Sequence, residues 1–311
     1  MIHYETDRQE GRLWLKESGF SPDFELKTES VFAQCNGYMG VRAAHPLSLV
    51  NENRGMFLSG AFNRAYEDEV TELVNCPDVT WMGLIVNGEE ICPDRTELVS
   101  CERKLDLMTG ELQINYQFRL SLGRLIQIQN RRFASRDDRH LFVQDFKVSF
   151  LDEKAGEIRL KTGINGQETN SGVSHFNKVD CRVYDRERME MRGELKDNSV
   201  TVLTQCSVKS GTLRTKDFKL CRRGIYESLT VAVDRKTEAV FEKITYMNQM
   251  EDEEKQKERE NILANASKSG YDILFQKHER VMRDFWSRSG LKIEGISQEE
   301  EAAIRFAQYH I

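Results

Sequence analysis

Between about residues 25 and 245, apolar side chains recur with a period of two, and this pattern constrains the fold more than any other feature. The clearest run has an apolar residue at every second position from 112 to 122, with polar residues between them. Successive side chains of a β-strand point to opposite faces, so this run predicts a strand with one buried face. Gly123 follows the run and a second run, 125–129, returns, which predicts a hairpin. Four further alternating runs are 141–150, 157–164, 199–208 and 226–233.

Residues that favour turns separate these runs. Five such pairs are Asn87-Gly88, Thr109-Gly110, Asn165-Gly166, Asp197-Asn198 and Ser210-Gly211. Many short strands without helices between them indicate antiparallel sheets that pack face to face. We therefore predict a mainly β fold, a large antiparallel β-sandwich, for residues 25–245.

The composition changes after Tyr246. Residues 251–260 are almost all charged and helix-forming residues continue beyond them, so we predict a helix that breaks at Gly270. A second helix is predicted for 271–288, because apolar residues recur there at helical spacing, and Gly290 ends it.

A third helix is predicted after a short extended stretch. Ser297 and Glu300 have the spacing of a capping box, which marks the first turn of a helix. The predicted apolar and aromatic face of this helix consists of Ala303, Phe306, Ala307 and His310. The pattern is still helical at Ile311, so we expect a piece of a longer protein whose third helix has an exposed apolar face in the isolated chain.

The composition argues against several classes of partner and site. The 51 acidic residues outnumber the 45 basic ones, so the formal charge of -6 offers no general attraction for nucleic acid or an anionic membrane. No stretch is long and apolar enough to span a membrane, and the first residues lack the apolar segment of a signal peptide. The seven cysteines include no CxxC pair and the six histidines no HxH or HExxH pattern. We therefore expect reduced thiols in a cytoplasmic protein and no metal site.

The motifs of nucleotide-binding loops and of serine hydrolases are absent from the sequence. The run from Arg136 to His140 holds two carboxylates, two guanidinium groups and an imidazole, which could serve acid–base chemistry. Charged clusters of this kind are common in surface loops, and we interpret the run as a polar loop between strands.

Four segments together resemble one enzyme family. They are ESVFAQCNGYMGVR at 29–42, TELVNCP at 71–77, RRFASRDDRHL at 131–141, and the tail with His278, Trp286 and 303–310. In this order and spacing they are similar to the motifs of glycoside hydrolase family 65, which includes the maltose, kojibiose, nigerose and trehalose phosphorylases. The sequence departs from the family pattern at Cys35, Ala43, Leu291, Lys292, Tyr309 and Ile311.

The resemblance implies a domain order. It implies an N-terminal β-sandwich domain at 1–247, a helical linker at 248–290 and the start of an (α/α)6 catalytic barrel at 291–311. The parent enzyme would act on an α-glucosidic disaccharide by inverting phosphorolysis, with β-glucose 1-phosphate and a free sugar as products. Inorganic phosphate is then a co-substrate, no cofactor is needed, and we expect a homodimer.

In this family a single Glu of the barrel is the general acid, and phosphate takes the place of the activated water of an inverting glycosidase. The resemblance places both that Glu and the phosphate site beyond Ile311. We therefore assign no catalytic residue to this chain, and Glu29, Glu72 and Glu299 are not candidates.

Three motif residues are candidates for contact with the barrel or the substrate: Asn36, Arg42 and Asn75. The glycines of the first motif allow strands to approach closely, and the guanidinium of Arg42 could bind a carboxylate or sugar hydroxyls. We expect the segment 36–42 and the turn at Asn75 to lie together near the face that the barrel covers. In the alternative interpretation, Arg42 pairs with an acidic residue such as Glu72 and holds the edge of the sandwich.

Two other functions stay open at this point. The parent could be an α-glucoside hydrolase, or the chain could be a stand-alone carbohydrate-binding sandwich. In the second case sugars would stack on exposed aromatic rings, although large aromatic residues are more often packed in cores. The stacking candidates are Trp14, Trp81, Tyr66 and Tyr116.

Overall fold

The computed structural model describes residues 2–3, 12–49, 53–64, 66–152, 154–249, 256–291 and 293–310. Strands dominate these residues, and two long helices follow the last strand. The strands are β1 Ile2–His3, β2 Trp14–Ser18, β3 Gln34–Cys35, β4 Met39–Val41, β5 Met56–Leu58, β6 Phe62–Asn63, β7 Glu72–Leu73, β8 Met82–Val86, β9 Glu89–Ile91, β10 Glu97–Asp106, β11 Leu112–Arg119, β12 Leu125–Ala134, β13 Leu141–Phe150, β14 Gly156–Asn165, β15 Lys178–Tyr184, β16 Arg188–Glu194, β17 Ser199–Ser210, β18 Thr212–Cys221, β19 Gly224–Val233 and β20 Glu238–Asn248. The helices are α1 Glu25–Val31, α2 Gln256–Ser289 and α3 Gln298–His310, and a 3-10 turn at Pro22–Phe24 precedes α1.

Two antiparallel sheets form the body of the protein. Among the described residues, the larger sheet has ten strands in the order β1-β2-β10-β11-β12-β13-β20-β17-β16-β15. The smaller sheet has five strands in the order β18-β19-β14-β8-β9. Among the described residues two hydrophobic clusters join them, and the larger cluster includes Ile128 and Val148 from the larger sheet and Leu160 and Leu229 from the smaller one. The predicted mainly β sandwich is therefore confirmed.

The strongest alternating run forms β11, in which buried and half-buried residues alternate. The side chains of β11 that face the core are Leu112, Ile114, Tyr116 and Phe118. β11 pairs with β12 across a turn that contains Gly123 at φ +77°, which confirms the predicted hairpin. Leu122 departs from the predicted pattern, because β11 ends at Arg119 and Leu122 lies in the turn, where it is 92% exposed.

α2 contains the break predicted at Gly270. This glycine has φ 75° and ψ 174°, outside the helical region, and α2 continues on both sides of it. At the break the Tyr271 N–H donates to Glu242 Oε1 (3.0 Å), so a carboxylate of β20 replaces a helical acceptor. α2 lies on the outer face of the ten-stranded sheet, where Tyr271 and Phe275 pack against Phe133.

The capping box predicted at the start of α3 is present. The Ser297 N–H donates to Glu300 Oε2 (2.8 Å), and the Glu300 N–H donates to Ser297 Oγ (3.2 Å). These two bonds satisfy N–H groups that lack partners within the helix. The hydrogen bonds that the Glu300 carboxylate accepts from the Ser297 N–H and hydroxyl lower the pKa of Glu300. The proposed domain limit at 247 lies near the end of β20, the limit at 290 lies one residue after the end of α2, and both stay predictions.

α3 packs on the sandwich mainly through residues outside the apolar face that the sequence analysis expects to be exposed. Its buried residues are Ala302 and Tyr309, whereas Ala303 and Ala307 are exposed. Tyr309 orients the helix, because its ring lies so close to Gly110 that a Cβ there would be 3.0 Å from the tyrosine hydroxyl. The exposed side of α3 is therefore centred on the two alanines.

Two further features bear on the class of protein. No helix of the described residues is long and apolar enough to cross a membrane. All seven cysteines are free thiols, and Cys76, Cys101 and Cys206 lie in the hydrophobic cores, as predicted for cysteines of a β protein. Burial raises the pKa of Cys76 and of Cys101 to about 12, so both thiols are protonated at neutral pH.

Candidate functional site

Three of the four segments that carry the family resemblance, 29–42, 131–141 and the tail, contribute residues to one region, which we name the junction. It consists of the loops 106–111 and 135–140 and residues 35–36, together with the sides of α2 and α3 that contact them. At the junction the sandwich holds the helices of the C-terminal part.

His278 of α2 connects two loops of the junction. Its Nδ1 accepts a hydrogen bond from the Arg136 N–H (3.0 Å), and its Nε2 contacts the Thr109 carbonyl oxygen. A neutral imidazole provides this combination of one acceptor and one donor. Burial lowers the pKa of His278 to about 4, so the ring is neutral at pH 7.

Trp286 and Tyr309 extend the contact between the helices and the sandwich. Trp286 Nε1 donates to the Met108 carbonyl oxygen (2.7 Å), and Cys35 Sγ donates to the Tyr309 carbonyl oxygen (3.5 Å). Both aromatic residues are more than nine-tenths buried. These tail residues of the family motifs therefore fix α2 and α3 on the sandwich.

Asn36 connects the turn between β3 and β4 to the loop after β12. Its Oδ1 accepts hydrogen bonds from the N–H groups of Tyr38 (3.0 Å) and Met39 (2.8 Å), which closes the turn. Its Nδ2 donates to the carbonyl oxygens of Ser135 (2.6 Å) and Arg139 (3.0 Å). The side chain is thus bonded on all sides within the protein, which gives Asn36 a positioning role at the junction.

The guanidinium of Arg42 is hydrogen-bonded to residues of α1 and to Asn53, which precedes β5. Its Nη2 lies 3.1 Å from Glu29 Oε2 and donates to the Leu26 carbonyl oxygen (3.0 Å). Its Nη1 donates to Ser30 Oγ (3.0 Å), and its Nε donates to the Asn53 carbonyl oxygen (3.2 Å). Each nitrogen of the guanidinium has a partner in the chain, which favours the internal role over contact with a ligand.

The partner of Arg42 is Glu29, and the suggested pairing with Glu72 is wrong. Glu72 Oε1 lies 2.7 Å from His175 Nε2 instead. Glu29 reaches Arg42 because α1 folds back beside β4, where the Ala43 N–H donates to the Glu29 carbonyl oxygen (2.8 Å). The separation along the sequence cannot show which of Glu29 and Glu72 pairs with Arg42.

We expect Arg42→Ala to destabilise the fold. The Glu29 side chain is 1% exposed, so loss of the guanidinium leaves a buried carboxylate without its cation. We expect the free energy of unfolding to fall by about 1–3 kcal/mol. Thermal unfolding should show a midpoint several degrees lower. The matched control is Arg64→Ala, whose exposed guanidinium contacts only the Glu67 carbonyl oxygen among the described residues, and it should leave the midpoint unchanged. An unchanged midpoint for Arg42→Ala, with a raised KM in the complete enzyme, would instead support contact with substrate.

Asn75 joins the segment 71–77 to the same region of the sandwich. Its Oδ1 accepts the Met56 N–H (3.0 Å), and its Nδ2 donates to the Arg54 carbonyl oxygen (3.0 Å). The Cys76 N–H donates to the Met56 carbonyl oxygen (2.7 Å), and β5 pairs with β4. Asn75 therefore lies one strand away from the segment 36–42, bonded to backbone groups.

The charged run from Arg136 to His140 forms a loop of the junction. The His140 N–H donates to Asp138 Oδ1 (3.0 Å), which closes a turn. The guanidinium of Arg136 lies 4.5 Å from the ring centre of Phe285 in α2. These contacts agree with the interpretation as a polar loop, and its cation packs on an aromatic ring of the helix.

A buried charged cluster that the sequence analysis did not identify lies next to α1. Arg103 Nη2 donates to both carboxylate oxygens of Glu25 (2.8 and 2.9 Å), and Arg103 Nε lies 3.3 Å from Glu17 Oε2. His45 Nε2 lies 2.6 Å from Arg103 Nη2, and His45 Nδ1 contacts the Tyr116 hydroxyl. All five residues are less than one tenth exposed. The cluster connects α1 to β2, β10 and β11.

The cluster shifts the acid–base behaviour of its members. Burial opposes ionisation of Glu25, but the hydrogen bond with His45 and the charge of Arg103 lower its pKa to about 2. Burial and the nearby guanidinium lower the pKa of His45 to about 4, and burial raises the pKa of Tyr116. Perturbed groups can mark catalytic sites. Because these groups are enclosed by the fold, we assign them a structural role.

The four aromatic stacking candidates have different environments. Trp14 and Tyr116 are 8% and 1% exposed, so the core-packing interpretation applies to both. Tyr66 is 68% exposed. Trp81 is half-buried and lines a cleft together with Tyr226. In the part of the chain that the structure describes, no three His, Cys, Asp or Glu side chains are grouped as metal ligands.

The family of the chain follows from a match over most of its length. Residues 15–285 match the N-terminal domain of glycosyl hydrolase family 65. The chain belongs to glycosyl hydrolase family 65. This result confirms the resemblance that the motif segments indicated.

Two curated relatives of this family 65 chain are kojibiose phosphorylases. The enzyme of Escherichia coli strain K12 is 27% identical over 302 residues, which cover 96% of this chain and 40% of the relative. The enzyme of Halothermothrix orenii is 28% identical over 327 residues, which cover 100% of this chain and 41% of the relative. The chain thus spans about two fifths of the length of these relatives.

A solved structure has the same fold as the family 65 chain. It is a putative kojibiose phosphorylase from the human microbiome, with a TM-score of 0.87 and 16% sequence identity. The match covers 99% of this chain and 42% of that structure. The sandwich and the helices that follow it therefore have the arrangement found in part of that protein.

Proposed function

We propose that this chain is the N-terminal region of an inverting α-glucoside phosphorylase and that it holds the catalytic barrel in place. The junction is the observation that carries the structural part of the proposal, and the phosphorylase part rests on the family and on the relatives described above. There His278, Trp286 and Tyr309 attach α2 and α3 to the loops of the sandwich through buried contacts. In this proposal α3 is the first helix of the barrel, and the sandwich fixes the position at which the barrel begins.

The proposed reaction transfers a glucosyl group to inorganic phosphate. Phosphate attacks the anomeric carbon from the face opposite the glycosidic oxygen, the bond between that carbon and that oxygen breaks, and a Glu of the barrel donates a proton to the leaving oxygen. The products are β-glucose 1-phosphate and the free acceptor sugar. We propose kojibiose as the first substrate to test, because the relatives described above are kojibiose phosphorylases.

We expect the 311-residue chain alone to release neither glucose nor glucose 1-phosphate from maltose, kojibiose, nigerose or trehalose. The reason is that the proposed general acid and phosphate site lie outside this sequence. The measurement is an enzyme-coupled assay for both products, with the Escherichia coli kojibiose phosphorylase as a positive control. Turnover by the pure chain would contradict the proposal and would require a general acid within these residues.

The substrate is tested with the protein encoded by the complete reading frame. Initial rates with each of the four disaccharides, at saturating phosphate, give the kcat/KM values to compare. The proposal predicts the highest value for kojibiose. A higher value for another disaccharide would overturn the choice of kojibiose but not the reaction class, which the nature of the product tests separately.

A further inference from the structure

We propose that the cleft beside Trp81 binds one pyranose ring of a neutral sugar. The cleft has a volume of about 290 Å³. Small-molecule sites have volumes of roughly 300–1,000 Å³, so a single sugar ring suits this cleft better than a long chain does. The lining side chains that support the proposal are Ser48, Arg54, Asp78, Trp81, Asn165 and Tyr226.

Two aromatic rings form the walls of the cleft. The ring centres of Trp81 and Tyr226 are 5.8 Å apart and the rings are nearly perpendicular, at 89°. Trp81 Nε1 donates to Ser48 Oγ (2.8 Å), and the Tyr226 hydroxyl donates to Asn165 Oδ1 (3.2 Å). These bonds hold both rings before a ligand arrives, which reduces the entropy lost on binding. Aromatic faces of this kind accept the apolar C–H face of a pyranose ring.

Two glycines make room for the aromatic walls. Leu84 faces the core of the sandwich, so its neighbour Gly83 in β8 faces outward. A Cβ at Gly83 would overlap the indole ring of Trp81. Gly163 of β14 is paired directly with Tyr226, and a Cβ there would be 2.7 Å from the tyrosine ring. The outer surface of the five-stranded sheet is therefore bare at the two positions over which the rings lie.

Buried polar groups form the floor of the cleft. Arg54 and Asp78 are 4% and 2% exposed. Asp78 Oδ1 accepts hydrogen bonds from the N–H (2.9 Å) and hydroxyl (2.6 Å) of Thr80. Asp78 Oδ2 accepts no hydrogen bond from the described residues and lies 3.8 Å from Arg54 Nη1. The floor therefore has a buried acceptor whose hydrogen-bonding capacity the described residues leave unused.

The charges of the lining favour an uncharged ligand. Arg54 and Asp78 carry opposite charges, so the guanidinium is already balanced by a carboxylate. A phosphate group would be placed near that carboxylate and would lose its own hydration, which is unfavourable. A sugar ring has hydroxyl groups that both donate and accept, and it therefore suits a lining with both kinds of group.

The backbone around the floor is held firmly. The Asp78 N–H donates to the Asn165 carbonyl oxygen (2.8 Å), and the Asn165 N–H donates to the Asp78 carbonyl oxygen (2.9 Å). From the core side, Lys243 Nζ donates to the Gly163 carbonyl oxygen (2.7 Å). A site whose polar groups are fixed in advance binds with less reorganisation.

The test is isothermal titration of the 311-residue chain with maltose and, separately, with inorganic phosphate. The expected result is saturable binding of maltose and none of phosphate, with affinity reduced at least about tenfold in Trp81→Ala. Tyr66→Ala is the matched control, because it removes an exposed aromatic ring outside the cleft, and its affinity should equal that of the unchanged chain. Thermal melts check that each variant is folded, and Tyr226→Ala replaces Trp81→Ala if the latter is not.

The proposal would be overturned if the folded chain showed no saturable binding of maltose, if the cleft variants bound maltose as tightly as the unchanged chain, or if Tyr66→Ala lost as much affinity as the cleft variants. Binding of phosphate in place of maltose would also overturn it. The proposal goes beyond the proposed function, because binding in the cleft is a property of the 311-residue chain and does not require phosphorolysis. The binding experiment can therefore fail while the proposed phosphorylase function holds, and the reverse is also possible.

Discussion

Arg103→Met should lower the free energy of unfolding by about 3–5 kcal/mol, because it leaves the carboxylates of Glu25 and Glu17 buried without their cation. The methionine retains most of the side-chain volume, so the loss reports on charge rather than on packing. Denaturant unfolding at neutral pH, followed by circular dichroism, is the measurement.

The matched control is Arg119→Met in the neighbouring strand β11. Arg119 Nε lies 2.9 Å from Glu97 Oε1, as close as the buried pair, but the two side chains are 42% and 63% exposed. Exposed pairs contribute about 0–1 kcal/mol, so this variant should be nearly as stable as the unchanged chain. Equal losses in the two variants would contradict the role assigned to the buried cluster.

The effect of Arg103→Met should depend on pH. The pKa of Glu25 is lowered from 4.5 to about 2 in the folded chain, so this group contributes stability above pH 4.5 that is lost as the pH falls toward 2. Without Arg103 that contribution is reduced, because the buried carboxylate holds its proton more tightly. The difference in unfolding free energy between the two proteins should therefore shrink as the pH falls from 4.5 to 2.

Trp286→Ala should cost about 3–5 kcal/mol, which is the usual range for removal of a buried aromatic side chain. The indole is 8% exposed and connects α2 to the junction through its bond to the Met108 carbonyl oxygen. Trp286→Phe keeps a ring but removes that bond and part of the indole, so it should cost about 1–3 kcal/mol, less than the alanine variant. Hydrogen exchange of the α2 amides should increase in the alanine variant, because the helix loses its attachment to the sandwich.

Ile273→Ala is the matched control on the same helix. Ile273 is 50% exposed, so its truncation should change stability by less than about 0.5 kcal/mol. If Trp286→Ala were no more destabilising than this control, the junction would not hold α2, and the role proposed for the sandwich would lose its main support.

The parts of the fold that the sequence predicts are those determined by local patterns. Alternation specifies β11 and most of β14, and the left-handed conformations at Gly123 and Gly270 mark the hairpin and the break in α2. β18 is not predicted, because it is the outer strand of the five-stranded sheet and most of its residues are exposed. A strand with no buried face shows little alternation of apolar and polar residues, so its sequence does not reveal it.

The clusters that the sequence does not predict depend on contacts between distant segments. Arg103 lies in a strand where a charged residue suggests exposure, and its partners Glu25 and His45 are 78 and 58 residues away. Arg42 illustrates the same limit, since the sequence does not show that α1 lies beside β4, which brings Glu29 and not Glu72 to the guanidinium. Of the residues that line the cleft, the sequence indicates only Trp81 as a candidate for binding a sugar. The floor of the cleft depends on the backbone hydrogen bonds between Asp78 and Asn165, which are distant in the sequence and adjacent in the fold.

The most direct test of the central claim, that this chain belongs to an inverting phosphorylase, is the identity of the product formed by the protein of the complete reading frame. Proton and phosphorus NMR of the reaction with its preferred disaccharide should show β-glucose 1-phosphate appearing from the first time point, with no turnover when phosphate is omitted. Free glucose released without phosphate would show a hydrolase and contradict the claim.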